Sequence, residues 1–141
     1  MYYYGITPNQ LIQAMKGELE AIEYYEKLIK MAPNREEANI IRAFYEDEKK
    51  HYDNFRRLYM MMTGRPPIIP PVDKPKIKNY LQGIEQAILD ELDAYEFYRD
   101  IYLSNINPYV RNTFFEAFTD ENEHAAHLNY LYTKNKCRKN L

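Results

Sequence analysis

Asp47-Glu48-Lys49-Lys50-His51 recurs 73 residues later as Asp120-Glu121-Asn122-Glu123-His124. The same shift carries Glu18 onto Glu91, Tyr25 onto Tyr98, Asn34 onto Asn107 and Leu58 onto Leu131. From residue 14 to 59, 13 of 46 positions match without a gap, so the chain contains an internal duplication. Two copies of one unit are expected to pack about an approximate two-fold axis. Residues matched by the repeat then face each other across the interior.

The residues around each Glu-x-x-His have helical period. One stripe reads Ile41, Phe44, Glu48, His51, Phe55, Leu58, Met62, and its copy reads Val110, Phe114, Ala117, Glu121, His124, Leu128, Leu131. Steps of three and four residues mark the buried seam of an amphipathic helix. Two further stripes read Leu11, Ala14, Glu18, Ile22, Tyr25, Ile29 and Ile84, Ala87, Glu91, Ala94, Tyr98, Ile101. Every seam is interrupted at mid-length by a carboxylate.

Proline sets the boundaries. Pro66, Pro67, Pro70, Pro71 and Pro75 crowd one stretch, while Pro8, Pro33 and Pro108 stand at helix starts or turns. Four helices are predicted: about Pro8–Met31 with Thr7 as N-cap and Gln10 completing a capping box, about Arg35–Met62 after Asn34, about Pro75–Leu103, and about Pro108–Thr133 after Asn107. Short turns make each copy an antiparallel hairpin. A polyproline-like linker over 63–74 spans roughly 35–40 Å, close to the roughly 39 Å of a 26-residue helix. It can therefore run the length of a bundle and set the second and third helices parallel. The expected fold is all-α: one domain over 1–141, with repeat 1 at about 8–62 and repeat 2 at about 75–133.

Composition agrees with a globular chain. It has 141 residues, 45% hydrophobic and 28% charged, with 15 tyrosines and no tryptophan. A net charge of -2 gives no electrostatic reason to expect nucleic acid or an anionic membrane. The single cysteine, Cys137, rules out an internal disulfide or a rubredoxin-type four-cysteine iron site. No apolar run has the length of a membrane span, and Met1-Tyr2-Tyr3-Tyr4-Gly5 does not read as a signal peptide. A reducing cytoplasm is the expected compartment. Tyr2 to Tyr4 read as packing or interface residues.

Glu18 lies 14 residues before Ala32, and Glu48 lies 15 after Pro33, so a hairpin puts them at nearly one height. The second hairpin does the same for Glu91 and Glu121. Any one of these residues alone would be read as solvated helix surface. Together, four carboxylates and two imidazoles are expected to share one buried layer. Uncompensated, each buried ion would cost several kcal/mol, about as much as a small domain can spare. Two divalent cations would neutralise four glutamates, and Glu-x-x-His places both ligands on one face. Asp47 and Asp120 are expected to hold the imidazole of the opposite hairpin, Asp47 with His124 and Asp120 with His51. Tyr25 and Tyr98 follow a ligand glutamate by two turns and are candidates to bond ligands or donate an electron.

These strings, with Gly17-Glu18-Leu19-Glu20-Ala21-Ile22-Glu23-Tyr24-Tyr25 and its copy Asp90–Tyr98, resemble the ferritin-like superfamily, specifically bacterioferritins and rubrerythrins. The resemblance covers nearly the whole chain and implies a ferritin-like four-helix bundle with two iron ions, manganese or zinc being alternatives. It implies Glu48 and Glu121 as bridging ligands, Glu18 and Glu91 as terminal ones, and His51 and His124 as one cap each. Ala94 stands where rubrerythrins carry an extra glutamate, so a symmetric, bacterioferritin-like site is expected. Lys49 and Lys50 occupy the place of a haem-binding methionine, so no haem is expected. Cage ferritins carry a short fifth helix; none is expected after the fourth here, so a 24-subunit shell is not expected.

The function expected is a di-iron carboxylate oxidoreductase that oxidises ferrous iron with hydrogen peroxide or dioxygen, with an external electron donor to reduce the iron again. A homodimer or small oligomer is expected. The alternatives are a di-manganese catalase-like enzyme and a metal-stabilised structural or interaction module without turnover.

Overall fold

Thr7, Asn34, Asn79 and Asn107 each turn a side-chain oxygen onto a free amide at a helix start, 2.9–3.1 Å away. In the computed structural model, which describes residues 5–139, the helices they open are α1 (Pro8–Met31), α2 (Arg35–Thr63), α3 (Tyr80–Ser104) and α4 (Pro108–Lys139). The Thr7–Gln10 capping box is complete in both directions. Gly64 closes α2 at φ 71°, a left-handed conformation that strains any side chain. The described residues contain no strand. No helix among them is long and apolar enough to cross a membrane. Tyr2 to Tyr4 lie outside the described residues.

Helices α1 and α2 pack closely as one pair and α3 and α4 as the other; α1 meets α3 and α2 meets α4 across the bundle. Two apolar clusters fix the directions. One gathers Leu11 of α1, Phe55 and Leu58 of α2, Tyr98 and Ile101 of α3, and Val110 and Phe114 of α4. The other gathers Tyr25 and Leu28, Ile41 and Phe44, Ile84 and Ala87, and Leu128 and Leu131. The C-terminal halves of α2 and α3 thus share one end, so those helices run parallel and residues 64–79 traverse the bundle. Each fully buried Leu or Ile stabilises this arrangement by about 1.5–3 kcal/mol.

Two boundaries differ from the sequence expectation by more than one residue. Helix α3 starts at Tyr80, not at Pro75, because Asn79 caps it while Ile77 packs into the second cluster and Lys27 Nζ holds the Pro75 carbonyl at 3.0 Å. Helix α4 continues past Thr133 to Lys139. Its extension carries Asn135 and Arg138 onto Glu37, which is fully buried in the first turn of α2. Tyr80 donates to the same carboxylate at 2.8 Å, so one glutamate joins α2, α3 and α4.

Candidate metal centre

Between the two apolar clusters lies a polar layer. It contains Glu18 from α1, Glu48 and His51 from α2, Glu91 from α3, and Glu121 and His124 from α4, none more than 4% exposed. The i, i+3 spacing of Glu48 with His51, and of Glu121 with His124, aims both side chains of a helix inward. Donor atoms of Glu18, Glu48, His51 and Glu121 all lie within 4.8 Å of one another, as do those of Glu48, Glu91, Glu121 and His124. Glu48 and Glu121 belong to both quartets.

Eight buried side-chain atoms among the described residues have no hydrogen-bond partner, and seven belong to these six residues. They are Glu18 Oε2, both oxygens of Glu48, Glu91 Oε2, Glu121 Oε1 and the Nδ1 atoms of His51 and His124. Close approach is not lacking: His124 Nδ1 is 3.0 Å from Glu48 Oε1, and His51 Nδ1 is 3.2 Å from Glu121 Oε1. These atoms crowd around common points without making hydrogen bonds. Orphaned polar atoms at this depth cost about 1–3 kcal/mol each, and this set of oxygen and imidazole donors fits a pair of divalent cations.

Outside the layer, each imidazole is held by the other hairpin. His51 Nε2 lies 2.7 Å from Asp120 Oδ2, and His124 Nε2 lies 2.9 Å from Asp47 Oδ2. An N–H at Nε2 donated to the aspartate leaves the Nδ1 lone pair for the layer. The phenols are crossed as well. Tyr25 donates to Glu91 Oε1, and Tyr98 donates to Glu18 Oε1 at 2.5 Å. Phe44 packs on His124 with ring centroids 4.6 Å apart.

Without cations, protons take their place. Burial pushes Glu18 and Glu121 well above the usual carboxyl range, with neighbouring Glu48 adding to it, and it raises Glu91 too. Burial opposes charge on Glu48 as well, but contacts with Glu18, His124 and His51 win, and it is held low as the ionised member. Burial alone would lower both histidines. Asp120 with Glu121 instead raises His51, and Asp47 with Glu48 raises His124 to about 12.

The sequence reading passed over Lys50 as a structural element. Its Nζ is 2.8 Å from Glu116, 3.1 Å from Asp120 and 3.6 Å from Asp47, so one cation bridges the two aspartates that hold the two imidazoles. Its repeat partner is Glu123, so the duplication carried no signal for it. Glu37 was missed for the same reason, since Val110 is its repeat partner.

Comparison with known proteins agrees with this geometry. YhjR of Bacillus subtilis strain 168, an uncharacterized protein, is 31% identical over 117 residues, covering 83% of this chain and 80% of that one. A hypothetical protein of Pyrococcus furiosus shares the fold with a TM-score of 0.80 at 24% identity, covering 89% of this chain and 87% of that one. The bacterioferritin-related protein of Bacteroides fragilis, a dodecameric thioferritin, superposes with a TM-score of 0.78 at 17% identity over 94% of this chain and 87% of its own. The rubrerythrin family model matches residues 9–132, and with this ferritin-like bundle and its paired acidic and histidine clusters the chain belongs to the rubrerythrin family.

Proposed function

We propose that the layer holds two iron ions per chain and that the protein is an oxidoreductase, turning over ferrous iron with hydrogen peroxide or dioxygen. One observation carries the reading: seven buried donor atoms without hydrogen-bond partners, arranged as two quartets that share Glu48 and Glu121. Glu48 and Glu121 would serve both ions, Glu18 and Glu91 would be the terminal carboxylates, and His51 and His124 would hold one ion each. When bound, such a pair supplies two electrons to a small oxidant.

The residues around the layer support this chemistry. Four carboxylates balance two divalent charges, so no net charge is left buried. Asp47 and Asp120 keep each imidazole oriented, and Lys50 holds both aspartates in place. Tyr98 and Tyr25 hold the terminal glutamates from the opposite hairpin and serve as a reserve of electrons close to the ligands. The apolar clusters close the layer from above and below. An external reductant would return the ions to the ferrous state.

The test is to load the protein anaerobically with ferrous iron, add one equivalent of hydrogen peroxide, and follow near-ultraviolet absorption of the ferric pair. Rapid growth of that band and its loss on reduction, repeated over cycles, is the expected result. A ferrous protein inert to peroxide and dioxygen would support a metal-stabilised module without turnover. Oxygen-rich ligands also suit manganese, so metal analysis after aerobic growth decides between iron and a catalase-like manganese pair.

A further inference from the structure

Among the described residues, a cavity reaches the layer from the α1–α3 side of the bundle. On the α2–α4 side Lys50 ties Asp47, Asp120 and Glu116 together over it. On the α1–α3 side a cavity of about 670 Å³ runs inward under the crossover segment, between Pro71–Pro75 and the two helices. Small residues open its floor: Gly17 and Ala21 on α1, Ala87 and Ala94 on α3. At its base are Glu18 and Glu91, whose Oε2 atoms are buried and unpartnered. At its rim stand exposed Glu20, Asp90 and Asp93. The wall is built from repeat mates, Glu20 with Asp93, Ala21 with Ala94 and Tyr24 with Phe97, so the cavity straddles the pseudo-two-fold axis.

We propose that this cleft is the entry path and capture site for the divalent cation, with Glu20, Asp90 and Asp93 drawing the hydrated ion in and Glu18 and Glu91 receiving it. The proposal rests on the metal reading above. Size permits it: a cation with six waters occupies about 200 Å³ at about 30 Å³ per water, well within the cavity. Charge favours it. The rim and strap contribute Glu20, Asp73, Asp90 and Asp93 against Lys16 and Lys74, and a concave acidic wall raises the local cation concentration and the association rate. The receiving Oε2 atoms make no hydrogen bond that would have to break before the ion binds.

The experiment measures the rate of cobalt(II) uptake by the whole, metal-free protein in a stopped-flow instrument, read from the d–d absorption of the bound ion, across ionic strength. The triple variant Glu20→Gln, Asp90→Asn, Asp93→Asn should bind the same final two cobalt ions per chain, about tenfold more slowly at low salt, with a flattened salt dependence. Glu36→Gln, Glu46→Gln, Glu123→Gln removes the same charge from exposed positions that do not line the cavity and should keep the wild-type rate within about twofold. Unchanged rates in the first variant, or equal slowing in both, would overturn the entry path while leaving the metal site intact. Failure of the wild-type chain to bind cobalt at all would overturn the metal reading and the entry path together, a different and recognisable result.

Discussion

Glu48 and Glu121 are the two carboxylates common to both donor quartets. Replacing both by alanine removes what joins the two halves of the layer. Glu48→Ala with Glu121→Ala is therefore expected to abolish tight binding of a second ion, read by equilibrium dialysis with cobalt(II); two ions bound with unchanged affinity would show the ligand assignment to be wrong. The residues behind the histidines matter next. Asp120→Ala frees the His51 ring and should weaken metal affinity by about 10–100-fold. Lys50→Met should act in the same direction but less, because it touches the imidazoles only through Asp47 and Asp120. Lys50→Arg should restore most of the affinity. A Lys50→Met protein with wild-type affinity would reduce Lys50 to an ordinary surface ion pair.

The helices differ in how far their ends could be read locally. Helix α1 matches its expected bounds at both ends because Thr7, Pro8 and Gln10 specify its start and Pro33 follows its end. Helix α3 begins later than its proline suggested. Asn79 competes with Pro75 for the start, and burial of Ile77 outside the helix decides between them. Asn79→Ala should cost about 1 kcal/mol in chemical denaturation, the usual worth of an N-cap. Helix α4 is long because Glu37 receives Asn135 and Arg138. Glu37→Ala should cost about 1–3 kcal/mol and speed amide hydrogen exchange beyond Thr133 while leaving the mid-helix layer protected. Uniform exchange along α4 in that variant would show that the extension is stable by itself.

For the whole molecule, the layer proposed to hold metal is also where pH acts. Glu18, Glu91 and Glu121 have raised values in the metal-free fold, so their stabilisation is complete below the unfolded carboxyl range and is lost as pH rises through the raised values. His51 and His124 are also raised, so theirs is complete below about 6.5 and fades as pH climbs toward the folded values. Glu48 and Asp120, held low, act the other way and lose their contribution only on strong acidification. The metal-free protein should thus melt lower at pH 8.5 than at pH 6, while cations displace those protons and restore the fold. The melting difference between loaded and metal-free protein should widen with pH; identical curves would exclude a metal-linked fold. Assembly is a separate question. With a dimer or small oligomer, aerobic loading with excess ferrous iron should stop at two ions per chain, one for each quartet. Light scattering with iron analysis checks this. Hundreds of irons retained in a shell-sized particle would favour storage over turnover.

The sequence by itself determined the architecture and the composition of the layer. Both depend on short-range regularities: helical period, proline placement, and a duplication that repeats Glu18, Glu48 and His51 as Glu91, Glu121 and His124. Hairpins of matched length then bring such residues to one height whatever the detailed packing. Tertiary structure alone decided which side chains make contact between helices. Lys50 over both aspartates, Glu37 under the end of α4, and the crossed bonds of Tyr25 to Glu91 and Tyr98 to Glu18 join residues far apart in the chain. So does the open cleft between α1 and α3, which exists because Gly17, Ala21, Ala87 and Ala94 leave space there. Period and duplication place the tyrosines and the cleft residues on facing stripes, but which atoms meet is set by the angle and separation at which the two hairpins pack.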